Sequence, residues 1–188
     1  YSQSASLRKK ALTIQTILNN LLYWAFSQRH LLRTNPQFLS LKNSLEDTLD
    51  SLHGLLEEKS LRIEWLTSEQ NEIYADENHV QIILYNVIHN AIKFSPLYSV
   101  IEISTIEEAS YIVLHLTNSG EKFEWEGNAQ KPTLVESHRG TLGEKGTGLG
   151  LLVCAELMKL NRGTISAHHN LKQGTTVIMA FPSFHIAS

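Results

Sequence analysis

The sequence predicts an α+β fold: a two-layer sandwich of one mixed sheet with helices on one face, preceded by a long bundle-forming helix. Three observations predict it. Apolar residues switch repeatedly between helical and alternating spacing along the chain. The helices and strands read from that spacing are mixed rather than strictly alternating, which argues against a parallel doubly wound sheet. A separate heptad stripe precedes the block that carries the strands.

That stripe comes first. Leu7, Ala11, Ile14, Leu18, Leu21, Ala25, Gln28 and Leu32 fall on one seam. Ile17, Leu22 and Trp24 widen it beyond what a single partner helix covers. Thr34, Asn35 and Pro36 then end the helix. Residues 1–36 are therefore read as one unit and residues 37–188 as a second. A helix from about Ser44 to Lys59 follows, with Leu45, Leu49, Leu52 and Leu56 as its buried stripe. Leu61 to Leu66 alternates and reads as a strand, and Ile73 to Ala75 as a short second one. Asp76 or Glu77 opens a helix that runs to Phe94 and stops at Ser95 and Pro96. Val100 to Ile106 and Tyr111 to Thr117 read as strands joined by a turn over Glu107 to Ser110. From Asn118 to Lys145 the chain is polar and without periodicity, which marks a functional lid or a disordered stretch. Thr147 to Leu160 reads as a helix. Gly163 to His169 and Thr175 to Phe181 read as a closing hairpin.

Bulk properties exclude several classes. The chain has 188 residues, 42% of them apolar, enough for a core in one ordinary domain with room for an extra element. The formal charge is −3, and there is no long basic run, so a nucleic-acid footprint is not indicated. The single cysteine, Cys154, excludes a disulfide framework and favours a reduced, cytoplasmic setting. It reads as a core filler rather than a nucleophile. No apolar run is long enough to span a bilayer, and no signal peptide is visible at Tyr1. The chain opens almost directly into helical sequence, as an excised piece of something longer would.

Two motifs carry the chemistry. Asn86 and Asn90 stand one turn apart on one helix face. Their neutral carboxamide oxygens suit Mg²⁺, which prefers oxygen ligands. Lys93 lies within reach of a phosphate as a point charge, and Phe94 covers a base or packs the helix end. Downstream, Gly146, Gly148 and Gly150 bring the backbone close to an anion, with amides from Thr147 to Leu149 at the start of a helix. Together they suggest a nucleotide held through Mg²⁺ on one side and backbone amides on the other.

At this point the sequence resembles the GHKL superfamily of ATP-binding proteins, and within it the two-component sensor histidine kinases. Asn86 to Phe94 is similar to the N box of that family. Gly143, Glu144, Lys145, Gly146, Thr147, Gly148, Leu149, Gly150 and Leu151 are similar to its G2 box. Asn118, Ser119 and Gly120 sit where the G1 box belongs, and Asp76 fits the usual lead-in to the N-box helix. Asn20 to Ala25 resembles the second helix of the family's dimerisation and phosphoacceptor hairpin. Gly174, Thr175, Phe181 and Pro182 resemble its closing strand. The resemblance implies that Asn90, with Asn86, binds Mg²⁺. It implies that Lys93 and the G2 residues, Lys145 among them, hold the phosphates of ATP. Asn118 then reads the adenine amino group, Thr175 supports it, and residues 120–145 form the lid.

Three departures from the family pattern stand out. Asn118 occupies a position that is usually Asp. Exchanging a charged for a neutral acceptor costs about 1 kcal/mol, roughly fivefold in affinity. No phenylalanine pair precedes the lid, Phe123 and Trp125 being the nearest aromatics. None of the nine histidines sits in a phosphoacceptor motif, so an acceptor helix is expected upstream.

The function so implied is that of the ATP-binding catalytic domain of a sensor histidine kinase. It passes the γ-phosphate to a histidine on another helix, for relay to an aspartate of a response regulator receiver domain. The parent is expected to be a homodimer whose kinase domain is cytoplasmic, with or without a membrane anchor. Gyrase-like and chaperone-like relatives carry a Glu general base where this chain has Asn86. An Asn there disfavours hydrolysis by about 10²–10⁴-fold. A degenerate, non-catalytic module signalling by binding or dimerisation is the alternative. A serine kinase of the anti-sigma type shares the same boxes, but the heptad helix counts against it.

Overall fold

The computed structural model describes residues 34–66, 71–127, 140–142, 148–170 and 174–183. The predicted bundle helix lies outside the described residues, as do Lys145, Gly146 and Thr147.

The described chain opens with β1 (Gln37–Ser40), followed by α1 (Leu41–Glu58). Ser40 ends one and caps the other: its hydroxyl accepts from the Asn43 amide at 3.3 Å, satisfying one of the orphan donors of the first turn. The helix therefore begins ahead of the predicted Ser44. It buries Leu41, Leu45, Thr48, Leu52 and Leu56, the three-and-four spacing of one face, with Leu49 half-buried at the margin. β2 (Arg62–Trp65) and β3 (Glu72–Ala75) follow. β3 pairs antiparallel with β1 in a two-stranded ribbon of its own. β1 was not expected, because its four residues have no pattern of their own and their partner lies beyond α1 and β2.

Helix α2 (Glu77–Phe94) matches its expected bounds. Asp76 caps it through a bond from the His79 amide at 3.2 Å. The other oxygen of the Asp76 carboxylate accepts from the Asn35 amide at 2.8 Å, so the entering chain is tied to the same cap. At the far end Ser95 is extended, with φ −72° and ψ 137°, as the residue before a proline favours.

The main sheet has six strands in the order β2-β4-β5-β8-β7-β6. It adds β4 (Val100–Glu108), β5 (Tyr111–Asn118), β6 (Trp125–Glu126), β7 (Thr164–Asn170) and β8 (Gly174–Pro182). β2 runs parallel to β4, and the remaining pairs are antiparallel, so the sheet is mixed as expected. The β4–β5 turn is tighter than predicted, since pairing continues to Glu108 opposite Tyr111 and Ala109 takes a φ of 50°. β6 falls inside the polar stretch and was not expected. Trp125 pairs opposite Ala167, and it and Phe123 rest against the core.

Inward residues of the sheet are apolar and buried: Ile101 and Ile103 on β4, Leu114 and Leu116 on β5, Val177, Met179 and Phe181 on β8. Against them lie Ile83, Leu84, Val87 and Ile88 of α2, and Leu151, Cys154, Leu157 and Met158 of α3 (Gly150–Leu160). α1 packs on α2, and α2 and α3 pack on each other and on the sheet. Among the described residues no helix is long and apolar enough to cross a membrane.

Candidate nucleotide site

Asn86, Asn90 and Lys93 lie in the C-terminal half of α2. Asn86 is buried, and its amide nitrogen donates to the Ile82 carbonyl one turn back at 2.9 Å. With the nitrogen committed to the helix, the oxygen is the acceptor this carboxamide presents. Asn90 is half-buried. Lys93 is buried, and its Nζ rests 4.5 Å from the centroid of the Phe94 ring, a cation–π distance. Two expected ligand residues thus hold each other at the helix end.

Asn118 ends β5 opposite Thr175, the second residue of β8. The Asn118 carboxamide satisfies both ends when its oxygen accepts from the Gly120 amide at 3.1 Å and its nitrogen donates to the Thr175 carbonyl at 3.3 Å. The Thr175 hydroxyl in turn donates to the Glu121 carbonyl at 2.9 Å. Gly120 is required by close approach. A Cβ there would stand 2.5 Å from the Asn118 carboxamide and 3.0 Å from the Phe94 carbonyl. Asn118, Gly120, Thr175 and the Phe94 end of α2 therefore form one cluster. Gly174 beside it has a φ of 96°, which only glycine adopts readily.

Of the glycine loop, Gly148, Leu149 and Gly150 are described. Gly148 has a φ of 72°. α3 starts at Gly150, later than the expected Thr147, and Leu149 at its N-cap makes no side-chain capping bond. The N-terminus of a helix offers backbone amides suited to an anion. Two contacts show where this end points. Asn161, just past α3, meets His79 in the first turn of α2 at 3.1 Å. The Cys154 sulfur approaches the Ile83 carbonyl at 3.8 Å. The helices therefore run antiparallel, so the Gly150 end of α3 points toward the C-terminal half of α2.

Sequence reasoning missed Lys59 and Thr141. Lys59 follows α1 and is 3% exposed. Its Nζ donates to the carbonyls of Ile92 at 2.9 Å and Lys93 at 2.7 Å, and to the Thr141 hydroxyl at 2.6 Å. The Thr141 amide donates to the Lys93 carbonyl at 3.1 Å. A lysine at a helix end is a weak signal by itself, and Thr141 has none within a polar tract.

Two titratable groups are strongly shaped by burial. Desolvation lowers the His79 pKa from 6.5, opposed by the Asp76 carboxylate beside it. Burial pushes the Cys154 thiol up, far from the thiolate range.

A mixed sheet backed by antiparallel helices, one carrying Asn86 and Asn90 and the other starting after a glycine turn, fits a nucleotide-binding domain. Residues 75–185 match the family of histidine kinase-, DNA gyrase B- and HSP90-like ATPases, and the chain belongs to it. It is an ATP-binding catalytic domain of the sensor histidine kinase kind. It is 28% identical to sporulation kinase C of Bacillus subtilis over 90% of this chain and 38% of that protein. It is 24% identical to the adaptive-response sensory kinase SasA of Gloeothece citriformis over 94% of this chain and 46% of that one. The chain thus spans less than half the length of these relatives. Among solved structures, the Acinetobacter baumannii histidine kinase AdeS superposes with a TM-score of 0.74 at 20% identity, over 96% of this chain and 83% of that one. Full-length ShkA in complex with AMPPNP gives 0.75 at 20% identity, over 100% of this chain and 39% of that one.

Proposed function

We propose that this domain holds Mg-ATP between the C-terminal half of α2 and the N-terminus of α3, and that it donates the γ-phosphate to a histidine. The observation that carries this is the antiparallel packing of α2 and α3. It supports the reading because it turns the glycine-led start of α3 toward the half of α2 that carries Asn86, Asn90 and Lys93. Asn86 and Asn90 fit Mg²⁺ because each carries a neutral carboxamide oxygen, the ligand type the ion prefers. When bound, the ion neutralises phosphate charge. Lys93 leaves the Phe94 ring to meet a phosphate, and the glycine-loop residues Lys145, Gly146 and Thr147 extend the anion site. Asn118, held by Gly120 and Thr175, forms the adenine floor.

Asn86 has no proton-accepting carboxylate to activate water, which favours transfer over hydrolysis. A neutral imidazole is nucleophilic unaided, so positioning and charge are the main requirements. Its nitrogen bonds to the γ-phosphorus as the bond to the β,γ-bridging oxygen breaks, and ADP leaves. The acceptor histidine belongs to a helix of the parent protein or its dimer mate, and a receiver-domain aspartate takes the phosphoryl group next. Residues 1–36 fit the second helix of the dimerisation hairpin, and residues 37–188 the catalytic domain.

Calorimetric titration with Mg-ADP tests the site. Saturable heat is expected, with affinity falling about tenfold in Asn90→Ala. No heat at millimolar nucleotide would refute the reading. Label from ATP on a histidine of an acceptor helix added in trans tests the transfer.

A further inference from the structure

We propose that Lys59 and Thr141 are positioning residues for nucleotide binding, a latch joining the end of α2 to the chain that enters the glycine loop. The proposal rests on the nucleotide site argued above. An ammonium has three N–H donors. Those of Lys59 are matched by the Ile92 carbonyl, the Lys93 carbonyl and the Thr141 hydroxyl. The Thr141 hydroxyl passes its own proton on toward the Ser95 carbonyl at 2.9 Å, and its amide bonds to Lys93. Two carbonyls at the end of α2 and one hydroxyl from a distant segment thus converge on a single buried cation.

The carbonyls involved belong to the residues that carry the site. The Lys93 backbone is pinned from two directions, by Lys59 and by the Thr141 amide. Phe94, between Lys93 and Ser95, is in turn the close neighbour of Gly120. Thr141 itself lies seven residues before Gly148. Its side chain is exposed, so hydrophobic burial does not account for its place. The hydrogen bonds do. The Lys59 backbone is engaged as well, its carbonyl accepting from the Tyr98 amide at 3.0 Å. A shift of Lys59 would therefore disturb the end of α2 and the Thr141 segment together.

The test compares Mg-ADP affinity and thermal stability in the whole chain. Thr141→Val keeps the shape and removes the hydroxyl. It is expected to weaken Mg-ADP binding about five- to tenfold with little change in melting temperature, and Thr141→Ser is expected to restore binding. Lys59→Met is expected to weaken binding as much and also to lower the melting temperature, and adding Thr141→Val to it should cost little more. Wild-type affinity in Thr141→Val overturns the latch while leaving the nucleotide site standing. Equal losses in the serine and valine variants overturn it too. A wild-type chain that binds no Mg-ADP removes the site and the latch together.

Discussion

The side-chain nitrogen of Asn161 lies 3.1 Å from Nδ1 of His79. The same Asn161 carboxamide accepts from the Asp76 amide at 2.7 Å and donates to the Leu157 carbonyl at 2.7 Å. One buried amide therefore binds the last turn of α3 to the cap and first turn of α2. Asn161→Ala leaves the Asp76 amide buried without its partner. We expect a loss of about 1–3 kcal/mol, measured by urea unfolding, and a much smaller loss would show that this junction does not hold the helices.

His79 makes the same junction sensitive to acid. Its folded pKa is lowered from 6.5, chiefly by desolvation. Below that value the unfolded chain takes up the proton more readily than the folded one, so stability rises with pH there. It is fully present above 6.5 and is lost progressively as pH falls toward the lowered folded value. Protonation also places an N–H of His79 against a donor if it occurs at Nδ1. Urea midpoints measured from ~pH 7 to ~pH 5 should fall less steeply in His79→Gln than in wild type. Parallel curves would count against the assignment.

Cys154 is fully buried between α3 and α2, and its thiol pKa is pushed upward by burial. As the chain has one cysteine, thiol labelling reports this position alone. Modification by a disulfide reagent should be negligible in the native protein and should follow the unfolding transition in urea. Rapid labelling of native protein would contradict the packing described.

Gly120 sits so close to Asn118 and Phe94 that a single added carbon would not fit. In Gly120→Ala the added carbon meets the Asn118 carboxamide at 2.5 Å and the Phe94 carbonyl at 3.0 Å. Overpacking of this kind costs about 1–3 kcal/mol. Mg-ADP affinity should drop by about tenfold or more, and unchanged affinity would remove Asn118 and Gly120 from the adenine floor.

Much of this was legible in the sequence because its signals are local. The apolar stripe of α2, the Asp76 cap and the proline stop fix one helix almost to the residue. The alternation of β4, β5, β7 and β8 is equally plain, since one face of each is buried. What escaped were relationships between distant residues. β1 exists only through β3, and β6 only through β7. Lys59 and Thr141 are 82 positions apart in sequence, and no spacing rule joins them. Asn118 is expected from the sequence as a site residue, but its bonds to Gly120 and Thr175 depend on the register of β5 against β8.

The hydrogen bond between the Asn35 amide and Asp76 gives α2 a mechanical character. The chain entering the domain is hooked onto the near end of an 18-residue rod, about 27 Å long. Torque delivered at Asn35 would thus reach Asn86, Asn90 and Lys93 along a stiff lever.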